Sequence, residues 1–173
     1  MDFERVLTLV SGFFDGIERP YGVIGALGLA ARGIARTTFD VDIVAEAEVQ
    51  DELIAFLEAR GFTTEHQSSG YSNHIHDDSE LGRLDVMYVR GETAQRIFQG
   101  ITDHAGPGGL RIPVPRAEHL AAMKVFAIKN NPRRALQDLE DIGRILDLPG
   151  VDREEIEGYF TRHGLEDLLD RLE

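Results

Sequence analysis

Apolar residues at the start of the chain recur at steps of three and four: Phe3, Val6, Leu7, Val10, Phe13, Phe14 and Ile17. That spacing predicts an amphipathic helix over 3–17 whose apolar stripe packs on a sheet. Pro20 stops the helix, and residues 21–24 read as a short buried strand running into a tight turn at Gly25. Residues 26–31 are small and apolar and suit a short helix. The run Phe39-Asp40-Val41-Asp42-Ile43-Val44 then alternates apolar with acidic. A period of two puts Asp40 and Asp42 on one face of a strand and Phe39, Val41 and Ile43 on the other.

Residues 50–60, with Leu53, Ile54 and Leu57 apolar, predict a helix closed by Gly61, after which 62–65 begins another strand. Ser68-Ser69-Gly70 is a turn. Residues 71–75 and 84–89 pair as antiparallel strands across the acidic loop Asp77-Asp78-Ser79-Glu80. A short helix over 93–99, a loop at Gly106 to Gly109 and a Pro-bounded edge strand over 110–114 follow. Beyond Pro115 the pattern is helical only, over 116–129 and 132–146, with Pro132 in a first helical turn. Asp152 with Glu155 three residues on resembles a capping arrangement for a further helix, and Gly164 separates that helix from a last one. The pattern is therefore α/β (α+β): a mixed twisted sheet flanked by helices over 1–114, with a C-terminal helical region over 115–173 packed on that core.

Composition narrows the chemistry. The 173 residues contain no Cys and no Trp, which excludes disulfide scaffolds, thiolate zinc sites, iron–sulfur centres and cysteine nucleophiles, and makes a reducing cytoplasm the expected setting. The N-terminal stretch has acids throughout and no basic n-region, so it does not read as a secretory signal, and no run approaches 18 apolar residues. With 31 Asp+Glu against 18 Lys+Arg, the net charge is -13. Such a balance argues against a long nucleic-acid partner and an anionic membrane. A polyphosphate substrate would need a cation to approach.

Asp40 and Asp42 supply the place for one. Their Cα atoms lie about 6.5–7 Å apart along a strand, and carboxylates about 5 Å apart repel by roughly 3 kcal/mol at an effective dielectric near 20. A divalent cation removes that cost, and Mg²⁺ is typically held by one or two carboxylates plus substrate phosphates. A bare Asp-x-Asp also fits an exposed strand face with two solvated acids. Asp85, between apolar neighbours Leu84 and Val86, is a third strand-borne acid placed as an inward-facing ligand would be.

Val23-Ile24-Gly25-Ala26, thirteen intervening residues, Asp40-Val41-Asp42-Ile43 and later Leu84-Asp85-Val86 resemble the nucleotidyltransferase (polymerase-beta-like) superfamily. The string Gly33-x-x-Arg36-x-Thr38-x-Asp40-x-Asp42 is similar to its branch of AbiEii-type toxins and related small bacterial proteins. Lys124, then Arg134, Asp138 and Asp141, fit a lysine helix and an arginine–aspartate helix of that branch, so the resemblance covers roughly 20–146. It implies a minimal nucleotidyltransferase fold, Mg²⁺ or Mn²⁺ as cofactor, and transfer of a nucleoside monophosphate from a nucleoside triphosphate to a hydroxyl of a small molecule, protein or RNA end. By the same resemblance Asp40 and Asp42 hold metals and Asp85 binds one metal or activates the acceptor. The Gly25-Ala26 turn lies against the phosphates, and Arg36 and Thr38 organise the loop or contact phosphate. One residue departs from the pattern: Ala26 stands where the superfamily prefers Gly or Ser.

Other residues keep two readings at this stage. Lys124 sits among apolar neighbours, so its ammonium snorkels to solvent or meets an anion such as a phosphate. Asp138 and Asp141 share a helix face, either salt-bridged or forming a polar wall of the nucleotide pocket. His74 and His76, on one strand face before Asp77-Asp78, are structural or a second metal cluster serving a hydrolase. The Gly106 loop lacks the Lys-Ser/Thr of a phosphate-binding loop and reads as a plain connection. An alternative to the enzyme, motivated by Ala26, is a catalytically inactive protein of the same fold acting as a partner-binding or toxin–antitoxin component, and a homodimer also stays open.

Overall fold

A computed structural model describes residues 1–172. The chain divides into two compact units, Met1–Pro115 and Arg116–Glu173.

The first unit opens with helix α1 (Phe3–Gly16), capped by the Asp2 carboxylate, which accepts from Arg5 N at 3.0 Å. This cap satisfies one of the amides left unpaired at a helix start. Strand β1 (Tyr21–Val23) leads into helix α2 (Gly25–Ala31), and β2 (Asp40–Glu46) follows the intervening loop. A 3₁₀ turn (Ala47–Val49) enters helix α3 (Gln50–Glu58), then come β3 (Phe62–Gln67), β4 (Tyr71–His76), β5 (Arg83–Val89) and helix α4 (Gly91–Gln99). Strands β6 (Thr102–Ala105) and β7 (Arg111–Val114) form a separate antiparallel ribbon around the Gly106 loop, so the expected lone edge strand has a partner.

The five main strands run in the order β1-β2-β5-β4-β3. Only β2 and β5 are parallel neighbours; the remaining pairs are antiparallel. The expected pairing of β4 with β5 is present. Val41, Ile43, Leu84 and Val86 are buried on one side of the sheet, as are Val6, Leu7, Val10 and Phe14 of α1 and Leu53 and Leu57 of α3. Phe13 meets Phe14 and Phe56 at ring-centroid distances of 5.1 and 4.7 Å, and Phe14 stacks on Tyr21 at 4.7 Å. Burying a side chain of this size contributes about 1.5–3 kcal/mol, which is why α1 holds its place on the sheet. Phe39 departs from its expected place beside Val41 and Ile43: β2 begins one residue later, and Phe39 is 84% exposed.

The second unit consists of helix α5 (Ala117–Asn130), a 3₁₀ turn (Pro132–Arg134), helix α6 (Ala135–Leu146), helix α7 (Arg153–His163) and a final 3₁₀ segment (Glu166–Arg171). Val125, Ile128, Ile142, Ile145, Ile156 and Phe160 are among its buried apolar residues. Asp152 caps α7 by accepting from Glu155 N at 3.0 Å, but the reciprocal half of a capping box comes from elsewhere: Asp152 N donates to Glu118 Oε1 at 3.0 Å. The Glu155 carboxylate instead accepts from Arg116 and Tyr159. Gly164, at φ +65°, ends α7 in the left-handed conformation that glycine adopts without strain. Pro132 starts a 3₁₀ turn rather than the helix itself, and the expected last helix is 3₁₀ throughout. No helix among the described residues is long and apolar enough to cross a membrane.

Candidate active site

The face of the sheet opposite the apolar core carries the charged residues. Strand alternation keeps Val41, Ile43, Leu84 and Val86 inside, and therefore turns Asp40, Asp42, Arg83 and Asp85 to the other side, where all four are half-buried. The parallel register of β2 and β5 pairs Asp40 with Arg83 and Asp42 with Asp85. One carboxylate oxygen from each of Asp40, Asp42 and Asp85 lies within 4.8 Å of the others.

Local structure holds each acid. Ile24 N donates to Asp42 O at 2.9 Å, tying the end of β1 to β2 beside the turn. Gly25, at φ +58°, lies so close that a Cβ there would collide with the Asp42 carboxylate. Only glycine provides both that backbone conformation and that space. The Thr38 hydroxyl donates to Asp40 Oδ1 in a short hydrogen bond, and Asp40 N in turn donates to Thr38 Oγ1 at 3.4 Å. On β5, Arg83 Nε lies 2.9 Å from Asp85 Oδ1 and donates to Oδ2 at 3.1 Å. Asp85 Oδ1 is fully covered and accepts no hydrogen bond of its own.

This arrangement fits a hard divalent cation. Three carboxylates offer only oxygen ligands, the set that Mg²⁺ and Mn²⁺ prefer. Arg83 is paired with Asp85 on the same face, and Asp85 Oδ1 is a covered acceptor without a hydrogen bond. A cation among the three groups would answer both the repulsion and the orphaned oxygen.

The other residues singled out by the sequence take different places. Ala26 is buried at the start of α2, so its methyl group presents little surface to anything outside. Arg36 is half-buried in the loop before β2. Lys124, Asp138 and Asp141 come together within the helical unit: Lys124 Nζ lies 3.1 Å from Asp138 Oδ1 and 2.5 Å from Asp141 Oδ2. Arg134 Nε adds a contact to Asp138 Oδ2 at 3.1 Å. Of the two readings of Lys124, the ammonium meets anions, and they are this chain's own.

His74 and His76 do not join the acids. His74 is buried on the core side of the sheet, bonded through Nε2 to Ser72 Oγ at 2.7 Å and through Nδ1 to Thr64 Oγ1 at 3.2 Å. Burial holds its pKa below the usual histidine value. Both nitrogens of His76 face backbone groups, Asp78 N at 2.9 Å and Arg60 O at 3.1 Å. Among the described residues, the triad is the one group of three or more acids or histidines with converging ligand atoms, which removes the ground for a histidine-based hydrolase.

Sequence reasoning missed Arg83 and its second partner Glu65, which lies 3.2 Å from Arg83 Nη1. The signal for Arg83 was present: a residue two before Asp85 on a strand shares its face.

No protein-family model matches the chain, and no curated protein matches it by sequence. Several solved structures match it in shape. The antibiotic-resistance factor ANT(2'')-Ia in solution aligns over 99% of this chain and 97% of its own, with a TM-score of 0.70 at 18% identity. The same protein with adenylyl-2''-tobramycin aligns over 92% and 95%, with a TM-score of 0.66 at 16% identity. The lincosamide antibiotic adenylyltransferase LnuA, lincomycin-bound, aligns over 85% and 98%, with a TM-score of 0.56 at 18% identity. These likenesses define the class of fold: the chain has the nucleotidyltransferase fold, a mixed sheet flanked by helices with a C-terminal helical region.

Proposed function

We propose that this protein is a metal-dependent nucleotidyltransferase that moves a nucleoside monophosphate from a nucleoside triphosphate to a hydroxyl acceptor. The observation that carries this reading is the convergence of Asp40, Asp42 and Asp85 on the sheet face opposite the α1 core, beside Gly25. In it, Asp40, Asp42 and Asp85 hold Mg²⁺ or Mn²⁺, which when bound supplies Lewis-acid stabilisation of charge on the transferring phosphoryl group.

The chain's own residues do the rest. Thr38 fixes the Asp40 carboxylate, and Gly25 leaves room for that of Asp42. Asp85 receives the acceptor's proton as the hydroxyl oxygen bonds to the α-phosphorus and pyrophosphate departs with the electron pair of the broken P–O bond. The Gly25-Ala26 turn, Arg36, Lys124, Asp138 and Asp141 are the residues assigned to the nucleotide and its phosphates. For Lys124 this requires that its carboxylate partners share it.

A small-molecule acceptor and an adenylyl donor group are favoured by the neighbours in shape, one an adenylyltransferase of lincosamide antibiotics and another bound to adenylyl-tobramycin. The charge of -13 favours the same, or a protein or short RNA end, over a long nucleic acid. The resemblance of the 33–42 string extends the reading to the AbiEii-like toxin branch, and the lack of cysteine favours a cytoplasmic setting. Calorimetry tests the proposal directly. Mg²⁺-dependent binding of a nucleoside triphosphate is expected in the wild type and its loss, by at least about 100-fold, in the Asp40→Asn, Asp42→Asn double variant. A protein that binds no triphosphate with either metal, yet co-purifies with a partner, is instead the inactive partner-binding form.

A further inference from the structure

On the acidic face Arg83 is a cation that the reaction above does not use. Arg83 lies in register with Asp40 on β2 and Ile75 on β4, so it leaves the sheet on the triad's side. Its Nε addresses both oxygens of Asp85, at 2.9 and 3.1 Å, while Nη1 reaches across β4 to Glu65 Oε2 at 3.2 Å. Glu65 is the extra residue of a bulge in β3, between Thr64, paired with His74, and His66, paired with Asn73. A bulge re-aims the side chain it carries, and here the re-aimed carboxylate grips the outer end of the guanidinium. The side chain is 38% exposed, and its guanidinium is a permanent cation.

A surface ion pair chosen only for stability would contribute little, on the order of 0–1 kcal/mol. The geometry is more specific than that. A single Nε–H cannot satisfy two carboxylate oxygens, and Asp85 Oδ1 is left covered and unbonded. The charge of Arg83 meanwhile opposes any cation that approaches the three acids.

We infer that Arg83 is a positioning residue and resident counter-cation: it orients Asp85 toward the metal site and keeps that site from loading a divalent ion until a nucleotide arrives with its phosphates. The inference rests on the metal-dependent reading and adds an order of events to it. The triphosphate's negative charge offsets the guanidinium, so metal and nucleotide bind cooperatively, each raising the affinity of the other by the same factor.

Titration of Mn²⁺, read as loss of the free-ion electron paramagnetic resonance signal, tests this with and without a non-hydrolysable ATP analogue. In Arg83→Gln, affinity for Mn²⁺ alone is expected to rise about tenfold, the size of repulsion between a divalent and a monovalent charge roughly 5 Å apart in a water-like medium. The enhancement by the analogue is expected to shrink by the same factor, and Arg83→Lys, which keeps the charge, is expected to behave as the wild type. Glu65→Gln leaves the cation but removes its outer anchor and one negative charge, and is expected to bind Mn²⁺ a few-fold more weakly. If Arg83→Gln does not fold, unchanged affinity in Glu65→Gln overturns the inference. A folded Arg83→Gln that binds Mn²⁺ no tighter than a wild type that does bind it also overturns the inference and leaves the metal-dependent function standing. No Mn²⁺ binding by any variant, with or without the analogue, overturns both.

Discussion

Two acidic clusters in this protein use the same residue type to opposite ends. On the sheet of the first unit, Asp40, Asp42 and Asp85 converge within 4.8 Å, and Arg83 is bonded to Asp85. In the helical unit, Asp138 and Asp141 are matched by Lys124 and Arg134, and the Asp138 carboxylate is 1% exposed against 12% for the Lys124 side chain. The second cluster sets two cations against its buried carboxylates, as buried charge requires. The first brings three half-buried carboxylates together with an oxygen of Asp85 covered and without a hydrogen bond, an arrangement that a cation would complete. Asp-rich spacing looks alike in both, and the way each carboxylate is met separates them.

Stability and metal binding should therefore respond in opposite directions. The largest effect is expected at the triad: the Asp40→Asn, Asp42→Asn variant that abolishes metal-dependent nucleotide binding should unfold at the same or a higher urea concentration than the wild type, because neutralisation relieves repulsion. A clear loss of stability there would break the comparison. In the helical unit, Lys124→Met removes the ammonium that two buried carboxylates share and should cost about 3–5 kcal/mol in urea unfolding.

Gly25→Ala sharpens the contrast from the backbone side. Its φ of +58° would cost a residue with a Cβ about 1–2 kcal/mol, and the methyl would displace Asp42. Mn²⁺ binding should fall more steeply than stability, which a metal titration beside a thermal melt will show.

The smallest effect belongs to His74, on the core side of the same strands. Its folded pKa is depressed below 6.5, chiefly by burial, so the unfolded chain binds the proton more readily. The stability it contributes is complete above about pH 6.5 and declines below it, with a slope of at most about 1.4 kcal/mol per pH unit. Urea midpoints at successive pH values should show this decline in the wild type and a shallower one in His74→Gln, with no matching change in metal binding near neutrality.

How much of this was readable in advance follows from the range of each interaction. The α1 stripe, the Asp152 cap and the alternation through Asp40 and Asp42 are written within a few neighbouring residues, and the structure keeps all of them. Strand β6 was not legible, because Thr102 to Ala105 carry no apolar alternation and become a strand only by pairing with β7. Phe39 escaped in the same way: its period was right, but the strand's starting point was set by its neighbours in the sheet.

The sequence alone determined that Asp40 and Asp42 share a strand face, that Asp85 is a strand acid between buried neighbours, and that Gly25 marks a turn, since two-residue periodicity and glycine's freedom act locally. The tertiary structure decided the rest. The parallel register of β2 and β5 put Asp85 beside Asp42, the bulge in β3 brought Glu65 to Arg83, and the meeting of α5 and α6 gave Lys124 its carboxylates. Each of those contacts joins residues distant along the chain, and no local pattern specifies such a pairing; it is settled only when the buried faces of several elements are satisfied together.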